Sequence, residues 1–239
     1  MRSPYLSVVI PAYNEEDIIE KNLKKIIRFL SKKKYSWEIV VVDDGSHDNT
    51  TKIIKKMKNK KIRIARLSKN VGKGGALKKG VLSAKGKYIV FTDADLSVPI
   101  SYLDKLLPAL KKHEVVIASR RIEGARLAKR QPFVRELMGK GFTKITQIVI
   151  GSGIADFTCG FKGFQNKAAK KIFKKSNITR WAYDAEIIFL ATIYSYSIHE
   201  TPIVWENREE SRVKMGEAAL ESLRDLCKIR YYHLTGRYE

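Results

Sequence analysis

The sequence predicts an α/β fold with a mostly parallel central sheet flanked by helices. Two observations predict it. Short apolar runs alternate with helical stripes over the first 95 residues, the pattern of a parallel sheet joined by right-handed crossovers. Three of those runs end in polar or acidic clusters at residues 11–15, 43–46 and 93–95. In parallel sheets ligands sit at the carboxyl ends of the strands, so three such clusters argue for one site.

The first strand is Leu6-Ser7-Val8-Val9-Ile10. Asn14 is placed to cap the helix that follows, with Glu15, Glu16 and Asp17 on its positive end. Ile19, Leu23, Ile26 and Leu30 repeat at helical spacing. Residues 37–42 form a second strand, ending in Asp43-Asp44-Gly45-Ser46. Ile53, Ile54 and Met57 mark a Lys-rich helix, in front of which Asp44 and Asp48 are caps. Residues 62–67 are a third strand, and a helix through Ala84 follows Asn70-Val71-Gly72-Lys73-Gly74-Gly75. Tyr88-Ile89-Val90-Phe91 then runs into Thr92-Asp93-Ala94-Asp95. In extended backbone Asp93 and Asp95 point to the same side. Two hard carboxylates there, with room for substrate oxygens, suit Mg²⁺ or Mn²⁺ bridging a diphosphate; a plain Asp-rich turn is the alternative.

In the second half, Ser101 is placed to cap a helix carrying Leu103, Leu106, Leu107 and Leu110, with Asp104 at the capping-box position. Val115-Val116-Ile117-Ala118-Ser119 is a strand that delivers Arg120 and Arg121. Arg121, Arg126, Lys129 and Arg130 form a basic stretch, either solvated or set to meet a lipid phosphate. Phe133, Val134, Leu137, Met138, Phe142, Ile145, Ile148 and Val149 make a broad helical stripe. Residues 156–164 read as a polar turn and short strand, with Cys159 as packing. Residues 181–194 read as a helix whose Trp181 and Tyr183 belong to the core, and residues 198–205 as a last strand. A terminal helix carries Leu220, Leu223, Leu226 and Cys227 on one side. The chain reads as one domain: a donor half over 1–100, an acceptor half over 101–213, and an amphipathic helix over 214–239.

Composition narrows the partner. With 47 Lys+Arg against 25 Asp+Glu, the net charge of +22 favours polyanions: phosphorylated substrates, anionic membranes or nucleic acid. The lysines are spread over helix faces and the aromatics sit in apolar runs, so nucleic acid is not expected. No apolar window is long enough to span a membrane. Two cysteines far apart fit a reducing cytoplasm. The expected location is therefore cytoplasmic, with peripheral contact to an anionic membrane through residues 133–150 and the basic terminal helix. The four histidines have no metal-like spacing.

Ser7-Val8-Val9-Ile10-Pro11-Ala12-Tyr13-Asn14-Glu15, Val41-Val42-Asp43-Asp44-Gly45-Ser46-His47-Asp48-Asn49-Thr50 and Thr92-Asp93-Ala94-Asp95 resemble, in order, the signatures of family 2 inverting glycosyltransferases. Residues 70–75, Asp156-Phe157-Thr158-Cys159-Gly160-Phe161-Lys162 and Arg180-Trp181-Ala182-Tyr183-Asp184-Ala185-Glu186 are similar to the branch that loads glucose or mannose onto dolichyl phosphate, glucose being the closer. The resemblance implies a GT-A fold and hexose transfer from a nucleotide sugar, UDP-glucose or GDP-mannose, to a polyprenyl or dolichyl phosphate. It implies that Pro11, Ala12, Tyr13 and Glu15 wall the nucleoside pocket and that Asp43 reads the base. Asp93 and Asp95 are implied to hold the metal and diphosphate, with Ala94 between them, and Lys73 to touch the donor. Arg120 and Arg135 are implied to meet the acceptor phosphate, and Arg212 to lie on a loop closing over the donor. Asp184 is expected on the acceptor side, orienting Arg120 or the sugar. A glycan hydroxyl acceptor is the alternative, and would need Asp184 or Glu186 as base. Asn177-Ile178-Thr179-Arg180-Trp181 lacks the Gln of processive polysaccharide synthases, so single transfers are expected.

Overall fold

The computed structural model describes residues 3–127, 133–205 and 215–239. Its centre is a seven-stranded sheet built from β1 (Leu6–Ala12), β2 (Trp37–Asp43), β3 (Ile62–Arg66), β4 (Tyr88–Phe91), β5 (Val115–Ser119), β7 (Lys162–Gln165) and β8 (Ile198–Pro202). The spatial order is β3-β2-β1-β4-β7-β5-β8. β7 runs antiparallel to both its neighbours, and all the other pairs are parallel. Such a mostly parallel sheet is the expected arrangement.

Strand periodicity explains the two cores. Val9, Val40, Val42, Ile89 and Phe91 point to one face, and Val8, Ile10, Ile39, Val41 and Val90 to the other; all are 1% exposed or less. Each large apolar side chain so buried contributes about 1.5–3 kcal/mol. Helices cover both faces. On the second face lie α1 (Ile19–Ser31), through Ile19, Leu23, Ile26 and Leu30, and α4 (Leu103–Leu110). On the first lie α3 (Lys73–Ser83), α6 (Asn166–Lys175) and α7 (Tyr183–Ile193), with α5 (Phe133–Ile150) and α8 (Met215–Leu234) packed at that side. The short α2 (Thr50–Lys56) follows β2.

Several local expectations are corrected. Asn14 does not cap α1, which starts at Ile19; it takes left-handed backbone (φ 53°), and its Oδ1 accepts from the His47 amide. Ser101 lies inside a 3-10 turn, Ile100–Tyr102, that leads directly into α4. Asp104 accepts from Lys33 at 2.6 Å instead of closing a capping box. The last strand is two: the chain leaves the main sheet after β8, and β9 (Val204–Trp205) pairs with β6 (Arg126–Leu127) in a separate ribbon. Trp181 is not core; it is 45% exposed, while Tyr183 is buried as expected.

The terminal helix is apolar both toward the protein and toward solvent. Leu226 and Ile229 pack inward, whereas Leu220, Leu223, Cys227, Tyr231 and Leu234 form a continuous outward stripe. Leu226, one turn from Leu223, stands at the edge where that side meets the protein: it is buried while Leu220 and Leu223 are exposed. Beside α8, Ile145 and Ile148 of α5 are exposed, while Ile150 packs inward. Among the described residues no helix is long and apolar enough to cross a membrane.

Candidate active site

β2, β1 and β4 are neighbours in the sheet, so their carboxyl ends lie side by side. The loops that leave them are stitched together. The Asn14 amide donates to Ser46 Oγ, the Glu15 amide to Thr50 Oγ1 and the Glu16 amide to Asp48 Oδ2. Asp48 also accepts from the Thr50 amide, a local turn bond just ahead of α2, whose N-cap position is Asn49 and carries no side-chain cap bond. Asp44 does not cap it. Its two oxygens accept from the Val71 and Gly72 amides, both at 2.9 Å, and so clamp the loop that delivers Lys73. Gly72 has φ 97°, and a side chain there would strike the Thr179 carbonyl, so this loop lies directly against residues 179–180.

After β4 the backbone is not extended. Residues 93–96 make a turn closed by the Leu96 amide on the Asp93 carbonyl, so the two carboxylates are presented by a turn and not by strand alternation. Ala94 is buried between them, and its carbonyl accepts from buried Asn22 Nδ2 at 2.8 Å. Asp95 accepts from the Ser97 amide (2.9 Å) and hydroxyl (2.5 Å). Asp93 lies against Gly160, where a Cβ would overlap its carboxylate. Asp93 Oδ1 is 2.5 Å from Lys73 Nζ, and the two side chains are about one-third exposed. An ammonium already seated on this oxygen shows that the position suits a cation. Two hard oxygen donors, with remaining positions left to phosphates and water, suit Mg²⁺ or Mn²⁺. Among the described residues there is no group of three or more His, Cys, Asp or Glu that could hold a metal ion.

On the other side β5 delivers Arg120. Asp156, with a fully buried side chain, accepts from Arg120 Nε at 2.7 Å, from its terminal nitrogen at 2.8 Å and from its amide at 3.0 Å. Thr158 accepts a further bond from the same guanidinium. Burial opposes ionisation of Asp156, but the Arg120 hydrogen bonds and charge outweigh it and lower the pKa to about 2. Asp156, not Asp184, is therefore the residue that orients Arg120. Asp184 is 6% exposed and lies 2.5 Å from Lys162 Nζ, itself fully buried and also donating to the Cys159 carbonyl. Burial pushes the Asp184 carboxyl up, against the pull of Lys162 and Lys73. Glu186 faces elsewhere: it accepts from the Asn177 and Ile178 amides and from Tyr238.

Of the residues singled out from the sequence, Asp93, Ala94 and Asp95 share one turn with Lys73 against Asp93, the Tyr183 ring lies 5.8 Å from the Lys73 ammonium, and Asp184 is near enough for its charge to act on Lys73. Tyr13 is 38% exposed and meets His47 edge-on; Pro11 and Glu15 are half-buried and Ala12 is buried. Asp43 has a fully buried carboxylate that accepts from the Ser46 amide and from Thr51, with Arg66 Nε at 3.4 Å. Arg121 is exposed and donates to Gly139 and Thr143 of α5. The Arg135 side chain, and Lys129, Arg130 and Arg212 entirely, lie outside the described residues. Nothing in the local sequence marks the roles of Asn22, Asp156 and Lys162. Asp156 was legible only as an acid next to Thr158 in a quoted motif, and Asn22 as a polar residue on the apolar stripe of α1.

Comparisons with known proteins identify the family and the fold. Residues 7–173 match the family described as Glycosyl transferase family 2. A dolichyl-phosphate beta-glucosyltransferase of Saccharomyces cerevisiae is 37% identical over 98% of this chain and 76% of its own. One from Homo sapiens is 34% identical over 98% and 77%, and one from Dictyostelium discoideum 34% over 97% and 76%. Among solved structures, mannosyl-3-phosphoglycerate synthase from Rubrobacter xylanophilus aligns with TM-score 0.73 at 18% identity, covering 98% of this chain and 75% of that one. Glucosyl-3-phosphoglycerate synthase from Mycobacterium tuberculosis, in complex with Mn²⁺, UDP and glucosyl-3-phosphoglycerate, aligns with TM-score 0.67 at 19% identity over 95% and 80%. The fold is GT-A, and the chain belongs to glycosyltransferase family 2.

Proposed function

We propose that this chain transfers glucose, with inversion, from UDP-glucose to dolichyl or a related polyprenyl phosphate. The similarity to dolichyl-phosphate beta-glucosyltransferases over nearly the whole chain supports the sugar and the acceptor. The structural neighbour bound to UDP and Mn²⁺ supports a uridine donor over GDP-mannose, and a divalent metal. In this reading Pro11, Ala12, Tyr13 and Glu15 line the nucleoside side. Asp43 reads the base once Arg66 yields its position, and Arg212 and Arg135 complete the donor and acceptor sides. Asp93 and Asp95 would hold Mg²⁺ or Mn²⁺, which neutralises charge building on the diphosphate leaving group.

One observation carries the choice of acceptor. Arg120 is locked by Asp156 and Thr158, on the segment whose Gly160 packs against Asp93, while Asp184 and Glu186, the two candidate bases, are buried and committed to internal partners. A phosphate monoester, with a second pKa of about 6, is largely a dianion at neutral pH. It needs a guanidinium to place it, not a base to deprotonate it. Asp184 then acts by holding Lys162 and shaping the acceptor side.

The same reading gives the membrane a place. The outward stripe of α8, flanked by Arg224 and Arg230, and Ile145 and Ile148 of α5 form an apolar surface edged with positive charge. That suits peripheral contact with an anionic interface, on the cytoplasmic side where Cys159 and Cys227 stay reduced. The test is incubation with radiolabelled UDP-glucose, a dolichyl phosphate and Mn²⁺, followed by solvent extraction. Label in the lipid phase is expected. Label only on a water-soluble or glycan acceptor would overturn the reading.

A further inference from the structure

The Lys73–Asp93 ion pair does more than place a lysine near the donor. Lys73 opens α3 directly after a loop whose Val71 and Gly72 amides bond Asp44, so the backbone brings the start of its side chain to the site. Its ammonium sits 2.5 Å from Asp93 Oδ1, one of the two carboxylates that suit a metal. A divalent cation on Asp93 would compete with that ammonium for the charge of the carboxylate and repel it at such a distance. A second residence for the ammonium exists close by. The Tyr183 ring lies 5.8 Å from Lys73 Nζ, and its buried hydroxyl faces that ammonium and the Asp184 carboxylate without closing a full hydrogen bond. The adjacent Asp184 carboxylate adds negative charge within reach of the same ammonium. A full hydrogen bond from a relocated ammonium would satisfy that buried hydroxyl.

We propose that Lys73 is a stand-in cation that holds Asp93 in the metal-free enzyme, and that metal entry displaces it toward Tyr183 and Asp184. The pair keeps the carboxylate in its place against Gly160 between turnovers, and couples donor-site loading to a movement at the start of α3. This inference rests on Asp93 as a metal ligand, the reading given under the proposed function.

The test is Mn²⁺ affinity without donor, read from the free-Mn²⁺ resonance in electron paramagnetic resonance titrations. A partly exposed ion pair of this kind corresponds to about a fivefold change in an equilibrium. Lys73→Met is expected to bind Mn²⁺ about fivefold tighter than wild type, and Lys73→Arg to stay near wild type. Tyr183→Phe is expected to weaken Mn²⁺ binding when Lys73 is present and to leave it unchanged in a Lys73→Met background. That dependence separates displacement from the general effect of removing a positive charge, which would not involve Tyr183. Thermal unfolding of each variant checks that the fold is retained. Equal affinity in wild type and Lys73→Met, or a Tyr183→Phe effect that ignores Lys73, would overturn the displacement. No Mn²⁺ binding by any form, even with UDP, would instead overturn Asp93 as a metal ligand.

Discussion

Arg120 and Asp156 form a two-pronged ion pair in which a fully buried carboxylate grips a guanidinium that is 18% exposed. Removing the carboxylate leaves a mostly buried charge without its partner, which typically costs 3–5 kcal/mol. Asp156→Asn should therefore lower the unfolding free energy by about that much, and reduce transfer as Arg120 loses its orientation. Urea unfolding and the acceptor KM measure the two effects separately.

The same pair sets an acid limit. The Asp156 pKa falls from an ordinary value near 4 to about 2 on folding. The unfolded chain therefore binds this proton first as pH drops. The pair's contribution is full above about pH 4 and is lost as pH falls through about 2, amounting to roughly 2–3 kcal/mol. Stability measured from pH 5 to 2 should fall more steeply in wild type than in Asp156→Asn.

Gly160 has no room for a side chain, because a Cβ would overlap the Asp93 carboxylate. Gly160→Ala should push Asp93 out of place and lower kcat by at least about tenfold, while thermal stability changes by little, since the displaced group is at the surface of the site. An unchanged kcat would show that Asp93 need not sit where it does.

Cys227 lies on the outward stripe of α8 between Leu223 and Tyr231, whereas Cys159 is buried, with its thiol pushed up to about 11 by burial. A water-soluble maleimide should modify Cys227 and spare Cys159. Anionic vesicles at low salt should protect Cys227, and high salt should restore its labelling. Labelling unaffected by vesicles would remove α8 from the membrane contact.

Much of this was legible in the chain itself. Val8, Val9, Ile10, Val40, Val41 and Val90 announce doubly buried strands because a parallel sheet covered on both faces needs apolar residues at consecutive positions. The carboxyl-end clusters followed from the same logic. What the sequence could not show were relations across long separations. Asp44 reads locally as a helix cap, but it bonds to amides 27 and 28 residues away. Asp184 looked like the partner of Arg120, yet the chain brings Asp156 there and buries Lys162 against Asp184. The two faces of α8 share one helical period, and only packing on α5 and α7 decides which is covered.

The most direct measurement is transfer of labelled glucose from UDP-glucose to dolichyl phosphate by wild type and Asp95→Asn, side by side, with circular dichroism confirming equal folding. Asp95 lies on a half-exposed turn beyond β4, outside the core, so its loss should spare the fold. Mn²⁺-dependent lipid-phase label with wild type, falling by at least about a hundredfold in the variant, is the predicted result. Wild-type turnover in Asp95→Asn would mean that the turn after β4 plays no part in the chemistry.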